Sequence, residues 1–266
     1  MRAALVAEYR KLVSTRMWWL LLIVLAGYLV FIGVVMAASF VFAPEDGSDA
    51  APLEGVAAAR AIYGLTNAVG YVFPLVIGSL AITTEFRHQT ITETLLVEPR
   101  RGVLLVAKLL ATIPIGLLYG VVGTLAVVGA SAPLLAGWGD GAFLGDRSVL
   151  AVLALGVVVT VLWAMIGTAF GSVVPNQVAA IVVILAFTQF VEPIARLALG
   201  AFDGTDAIAR FLPGAAADGL IGSSLFGELG GSGELLSRPV ALVVLVAYAG
   251  GLALLGRFTT LRRDVV

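Results

Sequence analysis

The residues able to do chemistry in this chain are few, and most of them stand alone. Its 266 residues include no cysteine, one histidine (His88) and two lysines (Lys11 and Lys108). Disulfides, Cys-ligated zinc, iron–sulfur clusters and thiol catalysis are therefore excluded. Neither HExxH nor GxSxG occurs, and no phosphate-cradling GxxxxGK[ST] is present. The lysines decide the last point, because Lys11 follows Arg10 and Lys108 follows Ala107, so neither follows the loop's glycine. The chain is thus expected to carry no ATPase site and to be no enzyme. Gly137-Trp138-Gly139-Asp140 matches the GxGD of intramembrane aspartyl proteases. That chemistry needs two facing carboxylates sharing a proton, and no expected span carries an Asp, so the segment reads as a turn. Glu192 and Arg196, four apart, suit a helical ion pair, more structural than a proton relay.

What surrounds these residues is apolar. The chain is 60% hydrophobic and 12% charged, with a mean hydropathy of +1.06, whereas soluble domains carry roughly 25% charged residues. The shortfall falls in long uncharged runs, beyond the ~20 residues that cross a hydrocarbon core. We expect spans near Met17–Phe42, Tyr63–Thr84, Leu109–Ser131, Val149–Val174, Gln177–Val191 and Val240–Phe258. The run from Met17 is too long for a signal-peptide core and is expected to remain as a span. The fifth is short, so it either continues past Glu192–Pro193 or turns there. A net charge of −1 gives no reason to expect nucleic acid.

Six spans place both termini on one side. Arg2, Arg10, Lys11, Arg16, Arg87, Arg100, Arg101, Lys108, Arg257, Arg262 and Arg263 fall there, against Arg60, Arg147, Arg196, Arg210 and Arg238 on the other. Eleven against five makes the terminal side cytoplasmic by the positive-inside rule. Acidic residues lean outward, among them Glu45, Asp46, Asp49, Glu54, Asp140, Asp146, Asp203 and Asp206, and Asp218 is expected outside as well.

Three segments outside the spans have character. Residues 1–16 put Leu5, Val6, Tyr9, Leu12 and Val13 on one helical face, which predicts an amphipathic interfacial helix. Glu85 to Lys108 reads EFRHQTITETLLVEPRRGVLLVAK. There a short helix over about 89–97 is expected, with Ile91, Leu95 and Leu96 on its anchoring side and Glu93 on its polar face, stopped by Pro99. Residues 192–239 are too long for a structureless loop. Their apolar stretches Ile194–Phe202 and Ala215–Leu225 suit two short re-entrant helices. Within the spans, Asn67, Tyr71, Phe73, Tyr119, Trp163 and Gln189 are the polar or aromatic groups able to line a path. Gly116-x3-Gly120 and Gly167-x3-Gly171 permit close helix approach.

The order of these parts resembles the permease subunits of bacterial ABC exporters, the type-2 class. The likeness runs over the whole chain. It is carried by Arg16-Met17-Trp18-Trp19 at the end of the amphipathic helix and most sharply by Glu85–Lys108, with its pattern of Glu, Thr, Leu, Pro-Arg and Lys. The sequence departs from that pattern at His88-Gln89, where the family commonly has glycine before the Thr. The resemblance implies an all-α fold of six transmembrane helices over 17–266, after the interfacial helix of 1–16. It also implies a cytoplasmic coupling helix and an external re-entrant segment before the last span. The ATPase-coupling residues would be Glu85, Arg87, Thr90, Glu93, Leu95, Pro99, Arg100 and Arg101. Two separate ATPase subunits holding ATP and Mg, a second permease copy or paralogue, and membrane lipids would be the partners. The cargo would be a hydrophobic or amphipathic drug, lipid or glycoconjugate, exported across the cell membrane. A secondary transporter or channel is the alternative, marked by an essential charge within a span; a membrane enzyme is disfavoured by the inventory above.

Overall fold

A computed structural model describes residues 1–42, 54–200, 205–224 and 234–260, which are helical with turns and no strand among them. Glu45, Asp46, Asp49, Asp203, Arg262 and Arg263 lie outside the described residues. Helix α1 (Arg2–Ser14) ends where Thr15 turns extended, and α2 (Met17–Phe42) follows at once. Only Leu25, Leu29, Gly33 and Ala37 of α2 are buried, every fourth residue. An apolar helix that buries one narrow stripe leaves its remaining faces for lipid.

The chain then departs from the expected second span. Three pieces replace it: α3 (Gly55–Tyr63), α4 (Leu65–Ala68) and α5 (Val72–Arg87). Pro74 explains the later break. It sits in the first turn of α5, where a missing N–H costs nothing, but its ring blocks a helix continuing in from upstream. α5 alone has 16 residues, which rise ~24 Å and fall short of a ~30 Å core.

Five helical stretches are long and apolar enough to cross a membrane: Met17–Phe42, Arg101–Trp138, Arg147–Val173, Gln177–Gly200 and Arg238–Phe258. The second of these joins α7 (Arg101–Ala111) to α8 (Ile113–Trp138), and α6 (Ile91–Val97) precedes it. The third is α9 (Arg147–Val173); the Asp146 carboxylate caps it by accepting from the Ser148 and Val149 N–H groups. The fourth settles the short fifth span. α10 (Gln177–Ala186) runs through a π-helical turn, Phe187–Val191, straight into α11 (Glu192–Gly200). A proline ring clashes with the carbonyl four residues back, and the wider turn just before Pro193 relieves that clash. α12 (Asp206–Ala209), the buried α13 (Pro213–Ile221) and α14 (Arg238–Phe258) are the remaining helices among the described residues.

Side-chain pairings give the helix directions. α2 and α8 run parallel, Trp18 meeting Tyr119 at one end and Phe42 meeting Trp138 at the other. α9 runs against α8, with Gly116 on Val161 and Gly120 on Val157. α5 runs parallel to α9 in a constant register: Tyr71 on Trp163, Leu75 on Gly167, Ser79 on Gly171. α10 opposes α5, since Arg87 reaches Gln177 while Tyr71 reaches Thr188. The bundle therefore has two ends. One carries α1, Glu85, Gln177 and Arg257; the other carries Tyr63, Asp140, Asn67 and Asp218.

Glycine makes the α5–α9 contact possible. A Cβ on Gly78 would lie 2.1 Å from the Ala164 carbonyl oxygen, whereas one on Gly129 would meet nothing within 4 Å. Both expected small-residue motifs thus serve packing within the chain. Overpacking of this kind costs about 1–3 kcal/mol or more. Gly78→Val should therefore lower the melting temperature in detergent by roughly 3–10 °C, while Gly129→Ala leaves it unchanged. A thermal-unfolding scan of the two variants reads the difference.

Candidate functional site

At the first end, four charges close into a ring beneath α1. Lys108 Nζ donates to Glu8 Oε2 at 2.5 Å, Glu85 Oε1 at 2.7 Å and the Ala81 carbonyl at 3.1 Å. Lys11 Nζ donates to Glu8 Oε1 at 2.7 Å, Glu85 Oε1 at 2.9 Å and Thr94 Oγ1 at 3.0 Å. Both lysines of the chain thus sit between the same two carboxylates. Glu8, Glu85 and Lys108 are buried and Lys11 is half-buried. Burial alone would lower the Lys11 pKa, but the Glu8 and Glu85 carboxylates outweigh it and hold the ammonium above the usual lysine range. One interaction joins α1, α5, α6 and α7.

That ring anchors α6. After α5 the chain reverses at Gln89, whose φ of 58° is left-handed, a conformation glycine takes without strain. α6 has seven residues, two fewer at its start than expected. Thr90 precedes it and accepts from Thr94 Oγ1 through its carbonyl. Ile91 is buried and Leu95 half-buried, but the expected anchor Leu96 is not one. Leu96 is 79% exposed and Val97 86% exposed, beside exposed Glu93. The physical reason is length: one anchored turn beginning at Ile91 leaves the last residues of the helix projecting. Pro99 ends the segment, Arg100 pairs with Glu98 at 2.8 Å across it, and Arg101 opens α7. Arg87 lies at the surface, donating to Gln177 Oε1 at 3.3 Å.

The second end holds the other polar site. Arg196 donates to Asp218 at 2.8 Å and to Glu192 at 3.0 Å. Glu192 Oε1 also accepts from the backbone N–H of Gly214 at 2.6 Å and of Ala215 at 3.3 Å, so it caps α13. Asp218 accepts from Asn67 Nδ2 at 3.0 Å and from Ser224 Oγ at 2.9 Å. Burial pushes the Asp218 carboxyl above the usual carboxylate range, even against the Arg196 guanidinium. Asp218 is only 5% exposed, because α13 turns it inward onto Arg196.

Three of the six expected path residues gather here. Asn67, Tyr71 and Gln189 line a cavity of about 220 Å³ together with Glu192, Arg196 and Asp218. Trp163 stands behind it, its ring 4.7 Å from that of Tyr71. Phe73 and Tyr119 lie elsewhere. Phe73 packs on Tyr28 with ring centroids 6.0 Å apart, and Tyr119 is buried, its hydroxyl donating to the Trp18 carbonyl at 2.6 Å. Sequence reasoning found the Glu192–Arg196 pair but neither Asp218 nor the partners Glu8, Lys11 and Lys108. Lys108 did carry a signal, being a lone charge in the apolar run Val103–Leu110.

A scan against protein-family models finds no match, and a search of the curated proteins finds none either.

Removing one member of a buried charge set leaves another uncompensated, at a cost of about 3–5 kcal/mol. Lys108→Met should therefore lower the melting temperature by roughly 10 °C, and adding Glu85→Leu should recover part of the loss. A raised lysine pKa contributes stability that is complete below the unfolded value of 10.5 and fades as pH rises through the folded one. Protease resistance of α1 should accordingly stay constant from pH 6 to 9 and fall only in strongly alkaline buffer.

Proposed function

We propose that this chain is the permease subunit of an ATP-driven ABC exporter, working in the cell membrane with both termini cytoplasmic. The bundle crosses six times in this reading. α5 and its two preceding short helices form the second crossing, because the parallel α2 and α8 require a return between them. The cytoplasmic end is the one with the charge ring, in keeping with its richness in arginine and lysine. Two ATPase subunits, holding ATP and Mg, and a second permease copy or paralogue complete the transporter.

One observation carries this reading. α6 is a short helix fixed at its root by Ile91 and by the Lys11–Thr94 bond, and its far end exposes Leu96 and Val97. Such an element passes a push to α5 and α7 where a slack loop would absorb it. Glu93 and Thr92 beside the apolar tip offer a polar rim, as in protein interfaces with an apolar centre. The cargo path ends at the second polar site, among Asn67, Tyr71 and Gln189.

A secondary transporter is the second reading, favoured by the buried Glu192–Arg196–Asp218 set, since charges within membrane proteins often mark ion pathways. Capture of the tagged chain from its native membranes distinguishes the two. The exporter reading expects an ATPase subunit to co-purify; its absence from mild-detergent extracts would favour the alternative. The double variant Leu96→Asp, Val97→Asp should weaken that capture roughly 100-fold at unchanged membrane levels, because both side chains are exposed in the chain alone.

A further inference from the structure

The cavity at the second end is one-sided in its hydrogen bonding. Its buried donors are already engaged. Arg196 is held by Glu192 and Asp218, Asn67 Nδ2 by Asp218, the Gly214 N–H by Glu192, and the Tyr71 hydroxyl donates to the Thr188 carbonyl at 3.0 Å. Two polar atoms stay unpartnered although their residues are 2% and 5% exposed: Glu192 Oε2 and Asn67 Oδ1. Both are acceptors. A buried acceptor without a donor costs about as much as a lost hydrogen bond or more, so the site calls for a group that brings N–H or O–H.

Charge narrows the choice. Two carboxylates face one guanidinium, and the medium around them resists the second negative charge. The cavity also has an aromatic wall, Tyr71 backed by Trp163, of the kind that attracts cations over its face. At about 220 Å³ it holds several water volumes or one small organic group.

We propose that this cavity binds a compact primary ammonium group, which donates to Glu192 Oε2 and Asn67 Oδ1 against the Tyr71 ring. It rests on the exporter reading only in making that group part of the cargo. An ammonium restores neutrality to the Glu192–Arg196–Asp218 set and supplies the missing donors in one step. A quaternary ammonium supplies the charge without donors, and an alcohol supplies a donor without charge, so neither fits as well. The ammonium could belong to a free amine or to the headgroup of phosphatidylethanolamine.

The test is binding by the purified chain in phosphatidylcholine nanodiscs, with n-butylamine at neutral pH as probe and n-butanol and tetramethylammonium as controls, followed by calorimetry. Saturable butylammonium binding at least tenfold tighter than either control is expected. Asn67→Ala should weaken it about tenfold, and Gln189→Glu, which adds an acceptor carboxylate to the lining, should tighten it. Equal binding of butanol, or unchanged affinity in both folded variants, would overturn the proposal in favour of a cavity filled by water. Nanodiscs of phosphatidylethanolamine separate the sources: competition there assigns the site to the lipid headgroup, and unchanged affinity assigns it to free amines. Because no ATPase takes part, failure here leaves the exporter reading intact, and failure of ATPase capture leaves this binding intact.

Discussion

Lipid tails solvate a leucine side chain about as well as another helix does, so apolar surface by itself does not hold helices together in a bilayer. Association there depends on close contact and on buried polar pairs. In this chain the contact on which the rest depends is that of α5 with α9, where Gly78, Gly167 and Gly171 let one backbone lie against the other. The register Tyr71–Trp163, Leu75–Gly167, Ser79–Gly171 repeats every four residues, the spacing of ridges set into grooves. α8 and α14 then cover the other faces of α9.

With α5 so placed, both polar sites follow from it. Glu85 at its C-terminal end enters the ring with Glu8, Lys11 and Lys108, and Tyr71 just before its first turn faces the cavity. Fourteen residues separate them, ~21 Å of helix. α6 is joined to the same end of α5 by the single reversal at Gln89. A displacement of α6 therefore has a rigid route to the cavity, through one helix with a fixed neighbour. The ring serves that route by tying the N-terminal helix and α7 to the same point, so that the end of the bundle moves as a body.

Much of this was legible in the sequence where one residue type dominates a long stretch. The uncharged run Met17–Phe42 became α2 with the same limits, and the expected span Val149–Val174 became α9, which starts two residues earlier at Arg147. Pro99 and Pro193 marked real changes in the chain, but their effects differed because of what surrounds them. Pro99 ends α6, while the π-helical turn absorbs Pro193 and the helix goes on. The interrupted second crossing was hidden because Tyr63–Thr84 is as apolar as an unbroken span. Pro74 was a local signal for the later break, but the separation of α3 from α4 at Gly64 shows only once they are packed. Long-range partners were hidden for the same reason. Glu8 and Lys108 are 100 residues apart, as distant along the chain as they are close in the bundle, and Asp218 meets Arg196 only because α13 folds back over α11.

In the exporter reading the two ends of the bundle face opposite sides of a membrane, with α6 inside. The absence of native cysteine makes this directly measurable. Glu93 and Gly145 are both exposed, one beside the tip of α6 and the other before α9 at the far end. A membrane-impermeant thiol reagent applied to intact cells should label Gly145→Cys at once and Glu93→Cys only after permeabilisation. Labelling of Glu93→Cys in intact cells while Gly145→Cys stays protected would invert the topology and remove α6 from the reach of any cytoplasmic ATPase.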